Sequence, residues 1–99
     1  MVDLDAPIAR EGECTIEVAF SGICRTDLLV ASRDITSRDP ITLGHELSGV
    51  VRSSNDPSVR SGARVTVHPV IRCARCDECL RDAPCSSPAM LGVDRDGSF

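Results

Sequence analysis

The sequence has very few aromatic residues, with two Phe and neither Trp nor Tyr. It also lacks a basic face, because its net charge is −4. Nucleic-acid-binding proteins usually combine a basic patch with aromatic side chains on which bases stack, so we expect no nucleic acid partner. Long apolar runs are absent too: stretches such as residues 28–31 fall far short of the ~18 residues that cross a bilayer. We therefore expect no membrane partner.

Residues 1–20 also lack the apolar core of a secretory signal peptide. Charged side chains interrupt this segment throughout, at Asp3, Asp5, Arg10, Glu11, Glu13 and Glu17. A chain without such a signal is expected to be cytoplasmic, where thiols stay reduced. This expectation decides how the cysteines of the chain are interpreted.

Cysteine is abundant, and four of the six cysteines form the pattern C-x2-C-x2-C-x5-C. These four are Cys73, Cys76, Cys79 and Cys85. Four thiolates that converge on one ion satisfy tetrahedral Zn²⁺. The neighbouring residues are polar and charged, so a bound metal would supply folding free energy that apolar burial cannot. The pattern predicts a structural zinc lobe over residues 73–85.

Two other kinds of site compete with zinc for these cysteines. A disulfide framework suits short secreted chains, but the reduced compartment and the tight C-x2-C spacing argue against it. An iron–sulfur cluster also uses closely spaced cysteines, and there the last cysteine typically precedes a proline. Cys85 is followed by Ser86 instead, and the chain has only this one cluster of thiols. Zinc remains the favoured ion.

A second group of metal-ligand residue types lies upstream of the lobe. Cys24 occurs in the segment Gly-Ile-Cys-Arg-Thr-Asp, and His45 and Glu46 follow in Gly-His-Glu. A thiolate, an imidazole and a carboxylate are ligands for a zinc site that keeps an open position. Each residue alone is more often structural, and it is their combination that suggests ligands.

The remaining patterns predict short strands separated by turns. Residues 13–20 alternate, with Cys14, Ile16, Val18 and Phe20 on one face of a half-buried strand. Gly22 frees the backbone to turn, and Thr26 and Asp27 are good N-cap residues for a short helix. Further strands are predicted over residues 43–51 and 63–70. The fold class is therefore mainly antiparallel β, of barrel or sandwich type, in a single domain over residues 1–99.

These motifs, in this order, resemble those of the zinc-dependent medium-chain alcohol dehydrogenases. The resemblance rests on G-x-C-x-T-D at 22–27, P-x3-G-H-E-x2-G-x-V at 40–51, G-x-R-V-x-V at 62–67 and the cysteine lobe. It implies the N-terminal GroES-like catalytic domain of that family, a partly open antiparallel β-barrel with a short helix and a protruding zinc lobe. It also implies a partner Rossmann domain that binds NAD or NADP.

The resemblance also implies roles for individual residues. Cys24 and His45 resemble two ligands of the catalytic zinc. Glu46 resembles the adjacent carboxylate, which lies at or just outside the coordination shell of that zinc. Thr26 matches the hydroxyl of the family's proton relay, and Asp27 the carboxylate that orients a ligand imidazole. Arg25 occupies a position near the coenzyme phosphates. The four lobe cysteines match the structural zinc site.

The function implied is oxidation of a small alcohol or polyol, with zinc-bound alkoxide giving hydride to nicotinamide. The cofactors implied are Zn²⁺ at two sites and NAD or NADP, and a homo-oligomer is expected for the full-length enzyme. The sequence reaches Phe99 before a third zinc ligand or a glycine-rich coenzyme loop. We therefore expect these 99 residues alone to be inactive. The alternative from another functional class is a non-catalytic zinc-binding module or truncated fragment.

Overall fold

The structure is a computed structural model that describes residues 3–99. Five strands and two helices occur in it, in the order β1 Cys14–Gly22, α1 Arg25–Ala31, β2 Glu46–Ser54, β3 Arg64–Thr66, β4 Val70–Ile71, α2 Asp77–Leu80 and β5 Ala89–Met90. The chain forms two compact units. The first contains residues up to 20 together with 48–66, and the second contains 21–47 together with 67–99.

The first unit is built on the sheet β1-β2-β3. β2 and β3 are antiparallel, and Gly49 is paired with Val65. A Cβ atom at Gly49 would collide with the carbonyl oxygen of Glu17, so only glycine allows β1 to approach β2 so closely. Val51 is the fully buried apolar side chain of this unit, at 1% exposure.

The second unit contains both helices and the two-stranded antiparallel sheet β4-β5. Among its described residues the fully buried side chains are Val30, Asp27 and His45. A carboxylate and an imidazole thus occupy an interior where apolar side chains are the rule. Burying such groups costs free energy unless they are paired or bind a metal.

The mainly β fold class predicted from the sequence is confirmed, and both sheets are open. The predicted alternation in β1 is wrong at its far end, because Val18 is 38% exposed and Phe20 78% exposed. No helix among residues 3–99 has the length and apolar character needed to cross a membrane.

The start of α1 also differs from the prediction. Cys24 is the N-cap residue, and Asp27 is the third residue of the helix, the N3 position. The Asp27 carboxylate accepts a hydrogen bond from the backbone N–H of Cys24, with 2.9 Å between N and Oδ2. The helix therefore begins with a reciprocal cap, in which the N3 side chain satisfies the N-cap backbone.

Candidate metal centres

The four lobe cysteines converge at one point in the second unit. One Sγ atom from each of Cys73, Cys76, Cys79 and Cys85 lies within 4.8 Å of the other three. Two of the Sγ–Sγ distances are 3.9 Å, between Cys73 and Cys79 and between Cys76 and Cys85. All four side chains are half-buried.

These distances fit a single tetrahedral ion. Zinc–sulfur bonds of ~2.3 Å place the corners of a tetrahedron ~3.8 Å apart, close to the separations seen. A disulfide needs its sulfur atoms ~2 Å apart, and every cysteine of the described chain is a free thiol. The donor set therefore fits Zn²⁺ and excludes the disulfide alternative.

Backbone N–H groups point at the lobe sulfurs. Cys76 N lies 3.3 Å from Cys73 Sγ, and Cys79 N lies 3.4 Å from Cys76 Sγ. Backbone hydrogen bonds from Ser86 and Cys79 lower the pKa of the Cys76 thiol to about 6. Those from Cys73 and Ser87 lower the pKa of Cys85, whereas desolvation raises the pKa of Cys79. At Cys76 and Cys85 the lobe thus favours the thiolate, the form that binds metal.

Arg72 holds the outside of the lobe together, and the sequence patterns gave no sign of this role. Its guanidinium donates to the Asp82 carboxylate at 2.9 Å and to the carbonyl oxygens of Cys79 and Ala83 at 3.3 and 3.0 Å. A planar guanidinium can make three such bonds at once, which an ammonium group cannot match in geometry. Contacts of this kind depend on how the lobe folds and follow no regular spacing in the sequence.

The second candidate centre lies at the beginning of α1 and the beginning of β2. Cys24 caps α1, while His45 and Glu46 stand at the point where β2 begins. One ligand atom from each of the three residues lies within 4.8 Å of the other two. The structure thus brings together the three residues that the sequence singled out.

Asp27 ties the two segments of this centre to each other. Its Oδ2 accepts from Cys24 N, and its Oδ1 accepts from Gly44 N at 3.0 Å. Gly44 has φ of +98°, a conformation that only glycine adopts at little cost. The carboxylate therefore fixes the backbone immediately beside Cys24 and His45.

The imidazole of His45 is buried and lacks a hydrogen bond at Nδ1 within the described residues. The nearest anionic atom is Asp27 Oδ1, 3.4 Å away, which is close enough for an ion pair although not aligned as a hydrogen bond. A buried polar atom without a partner needs an explanation. A metal-binding histidine typically directs its other ring N–H at a carboxylate, and Asp27 stands beside Nδ1 in this way. The second ring nitrogen is then left for a metal ion, so the residues present fit zinc.

The other predicted residues of this centre differ in their surroundings. Thr26 is half-buried, and its Oγ1 lies 3.8 Å from Cys24 Sγ. Arg25 is the first residue of α1 and is exposed. Its predicted contact with coenzyme phosphates and the proton-relay role of Thr26 both stay predictions.

Three protein ligands of mixed type are typical of a catalytic zinc site, in which the fourth position is left to water or substrate. The lobe offers four thiolates and no such opening. With a metal ion bound, the first kind of site could polarise a substrate oxygen, whereas a closed four-thiolate site would only hold its segment together.

The chain is also similar in sequence and fold to known proteins. Residues 10–99 match the family described as "Alcohol dehydrogenase GroES-like domain". The chain is similar to L-threonine 3-dehydrogenase of Streptomyces coelicolor, with 35% identity over all of this chain and 31% of that protein.

Two solved structures are similar in fold. Galactitol-1-phosphate dehydrogenase from Escherichia coli has a TM-score of 0.83 and 31% identity, and the match covers 100% of this chain and 30% of that one. A protein provisionally named a zinc-binding dehydrogenase, from Sinorhizobium meliloti and bound to NADP, has a TM-score of 0.84 and 32% identity. That match covers 96% of this chain and 29% of the other. The chain thus spans about a third of the length of these relatives.

Proposed function

Because this chain belongs to the alcohol dehydrogenase GroES-like domain family, we propose that it is the zinc-binding catalytic domain of an NAD(P)-dependent dehydrogenase. Its substrate would be a small alcohol or polyol, in line with the names of its relatives. The observation that carries the proposal is the buried Asp27–His45 pair beside Cys24 and Glu46.

The chain's own residues would bind the ion and control its surroundings. Cys24 and His45 would hold Zn²⁺, with Glu46 within reach as a third ligand. Bound Zn²⁺ would supply Lewis-acid chemistry, lowering the pKa of a hydroxyl at its open position. The Thr26 hydroxyl can accept a proton and donate another, which suits a relay beside the metal. Asp27 would hold the imidazole ring in orientation.

The hydride acceptor is the nicotinamide coenzyme, and its binding site would have to come from residues other than these. A dinucleotide-binding βαβ unit needs a glycine-rich turn at a helix N-terminus, and the pattern G-x-G-x-x-G does not occur in the printed sequence. We assign the nicotinamide coenzyme to another segment or partner, with Arg25 as a candidate phosphate contact. Six free thiols fit a reducing compartment such as the cytoplasm.

A non-catalytic zinc module is the alternative function. It would require only the four-cysteine lobe, and it leaves the buried Asp27–His45 pair without a purpose. Because burying such a pair costs free energy, we prefer the catalytic assignment.

Cobalt substitution tests the proposal. Thiolate-to-cobalt absorption should arise from both centres, so Cys24→Ala should remove part of it and Cys73→Ala another part. His45→Ala should abolish alcohol oxidation by the coenzyme-bearing enzyme while zinc remains in the lobe. If Cys24→Ala leaves every thiolate band intact, Cys24 is not a ligand and the proposal fails.

A further inference from the structure

Gly22 lies directly under the side chain of Glu46. A Cβ atom added at Gly22 would be 2.7 Å from Glu46 Oε2 and 3.3 Å from Glu46 Cβ. Both distances are shorter than ordinary carbon contacts of ~3.5–4.0 Å. The closer of the two atoms is the end of a flexible side chain, so the carboxylate is the group that would have to move.

The backbone conformation does not require glycine at this position. Gly22 closes β1 and is not among the glycines with positive φ, which are Gly12, Gly44, Gly62 and Gly92. The sequence-based expectation that Gly22 frees the backbone to turn is therefore wrong. What glycine provides at Gly22 is space, and the occupant of that space is Glu46.

The carboxylate that fills this space faces the candidate metal centre. One oxygen of Glu46 lies within 4.8 Å of both Cys24 Sγ and a nitrogen of His45. Within the described residues, no hydrogen bond or ion pair holds the Glu46 carboxylate elsewhere. Glu46 is also exposed, so the space at Gly22 is one contact that limits where its carboxylate can lie.

We propose that Gly22 is a positioning residue for this centre, acting through Glu46. The missing side chain lets the carboxylate lie across the end of β1 and reach the ion as the third protein ligand. This inference rests on the proposed function, because it requires metal at Cys24 and His45. A side chain at position 22 would move the carboxylate and leave a two-ligand site completed by water.

The test compares metal binding by Gly22→Ala with that of the unaltered protein. Zinc affinity at the Cys24–His45 centre should fall ~10- to 100-fold, the usual loss when a supporting residue around a metal site is altered. The ligand-field bands of the cobalt-substituted protein should shift, while the Cys24 thiolate band persists. Zinc in the four-cysteine lobe should be unchanged. Ala19→Ser is the control, because Ala19 is an exposed residue of the same strand and belongs to neither candidate metal group.

A double-mutant cycle separates positioning from a general structural role. If Gly22 acts through Glu46, adding Gly22→Ala to Glu46→Ala should change zinc affinity by less than ~2-fold, because coupled residues are not additive. Glu46→Gln should reproduce the cobalt spectrum of Gly22→Ala without altering the backbone. If Gly22→Ala does not fold, Glu46→Gln still tests whether the Glu46 carboxylate binds the ion.

Three results would overturn the inference. Equal losses of affinity from Gly22→Ala with and without Glu46 would make its role merely structural. An unchanged cobalt spectrum in Glu46→Gln would remove Glu46 from the ion, and with it the role of Gly22, while the proposed function stands. If the unaltered protein holds metal only in the lobe, both the inference and the proposed function fail.

Discussion

Oδ1 of Asp27 lies 3.4 Å from Nδ1 of His45, and the two side chains are 3% and 6% exposed. The same carboxylate accepts backbone N–H groups from Cys24 and Gly44. One side chain thus fixes the backbone beside both of the predicted zinc ligands and also contacts one of them. Its substitution should affect folding and metal binding together.

Asp27→Asn should weaken both folding and zinc binding. An amide can accept through only one of its two end atoms, so one of the two N–H groups would lose its acceptor, at a cost of about 1–3 kcal/mol in free energy of unfolding. Zinc affinity at the Cys24–His45 centre should fall ~10- to 100-fold. Urea unfolding and zinc titration measure the two effects. Unchanged zinc affinity in this variant would show that Asp27 is only a helix cap.

Cys76→Ser should release the lobe ion and loosen residues 73–85, because a closed structural site needs all four ligands. Elemental analysis should show one zinc fewer per chain. Cys14→Ser is the matched control, since Cys14 belongs to neither candidate metal group. Unchanged zinc in Cys76→Ser, or iron in the unaltered protein, would contradict the assignment.

Asp96 should make stability depend on pH. Its carboxylate pairs with Arg38 and accepts from Thr42 N, and these contacts, Arg38 first, lower the pKa of Asp96. A lowered folded-state pKa means that the stabilisation is present above the ordinary value of 3.8 and is lost as the pH falls through the lower folded value.

Asp96→Asn should therefore reduce the free energy of unfolding at neutral pH, by less than ~1 kcal/mol because the pair is largely exposed. The difference from the unaltered protein should vanish in strong acid. Denaturant unfolding of both proteins across this pH range measures it. A constant difference at all pH values would mean that the charge of Asp96 is not involved.

The 99-residue chain should bind zinc yet neither bind NAD(P) tightly nor oxidise alcohols. Hydride transfer requires the nicotinamide to be held against the substrate. The glycine-rich turn of a dinucleotide-binding βαβ unit, which would hold the coenzyme, does not occur in these residues. Calorimetric titration with both coenzymes and steady-state assays over simple alcohols and polyols provide the check. Turnover by this chain that disappears in His45→Ala would contradict the expectation.

Local spacing pointed to residues that the structure brings together. The lobe cysteines fall within residues 73–85, so their convergence needs only short turns, and the sequence pattern contains most of the information. Cys24 and the Gly-His-Glu segment were recognised as candidate ligands for a different reason. The residues that flank them form the motifs at 22–27 and 40–51. The structure brings both groups together, although metal binding itself stays a prediction.

Contacts between distant segments could not be predicted in this way. The bond from Gly44 N to Asp27, the contacts of Arg72 and the space above Gly22 depend on how segments pack, which no periodicity encodes. The error in β1 has a related cause: alternation indicates which residues share a face and does not reveal whether another layer covers that face. Phe20 and Val18 are exposed for this reason.

The close spacing of the lobe cysteines also sets an order of assembly. The entropic cost of closing a loop grows with the number of residues in it, and the lobe ligands are separated by far fewer residues than Cys24 and His45. A chain emerging from the ribosome could therefore capture an ion at the lobe by local encounter, whereas the other centre must wait for the start of α1 and residues 45–46 to meet. Refolding in the presence of cobalt would reveal this order, and simultaneous appearance of all thiolate bands would refute it. The lobe would then be the part of the chain that holds metal first.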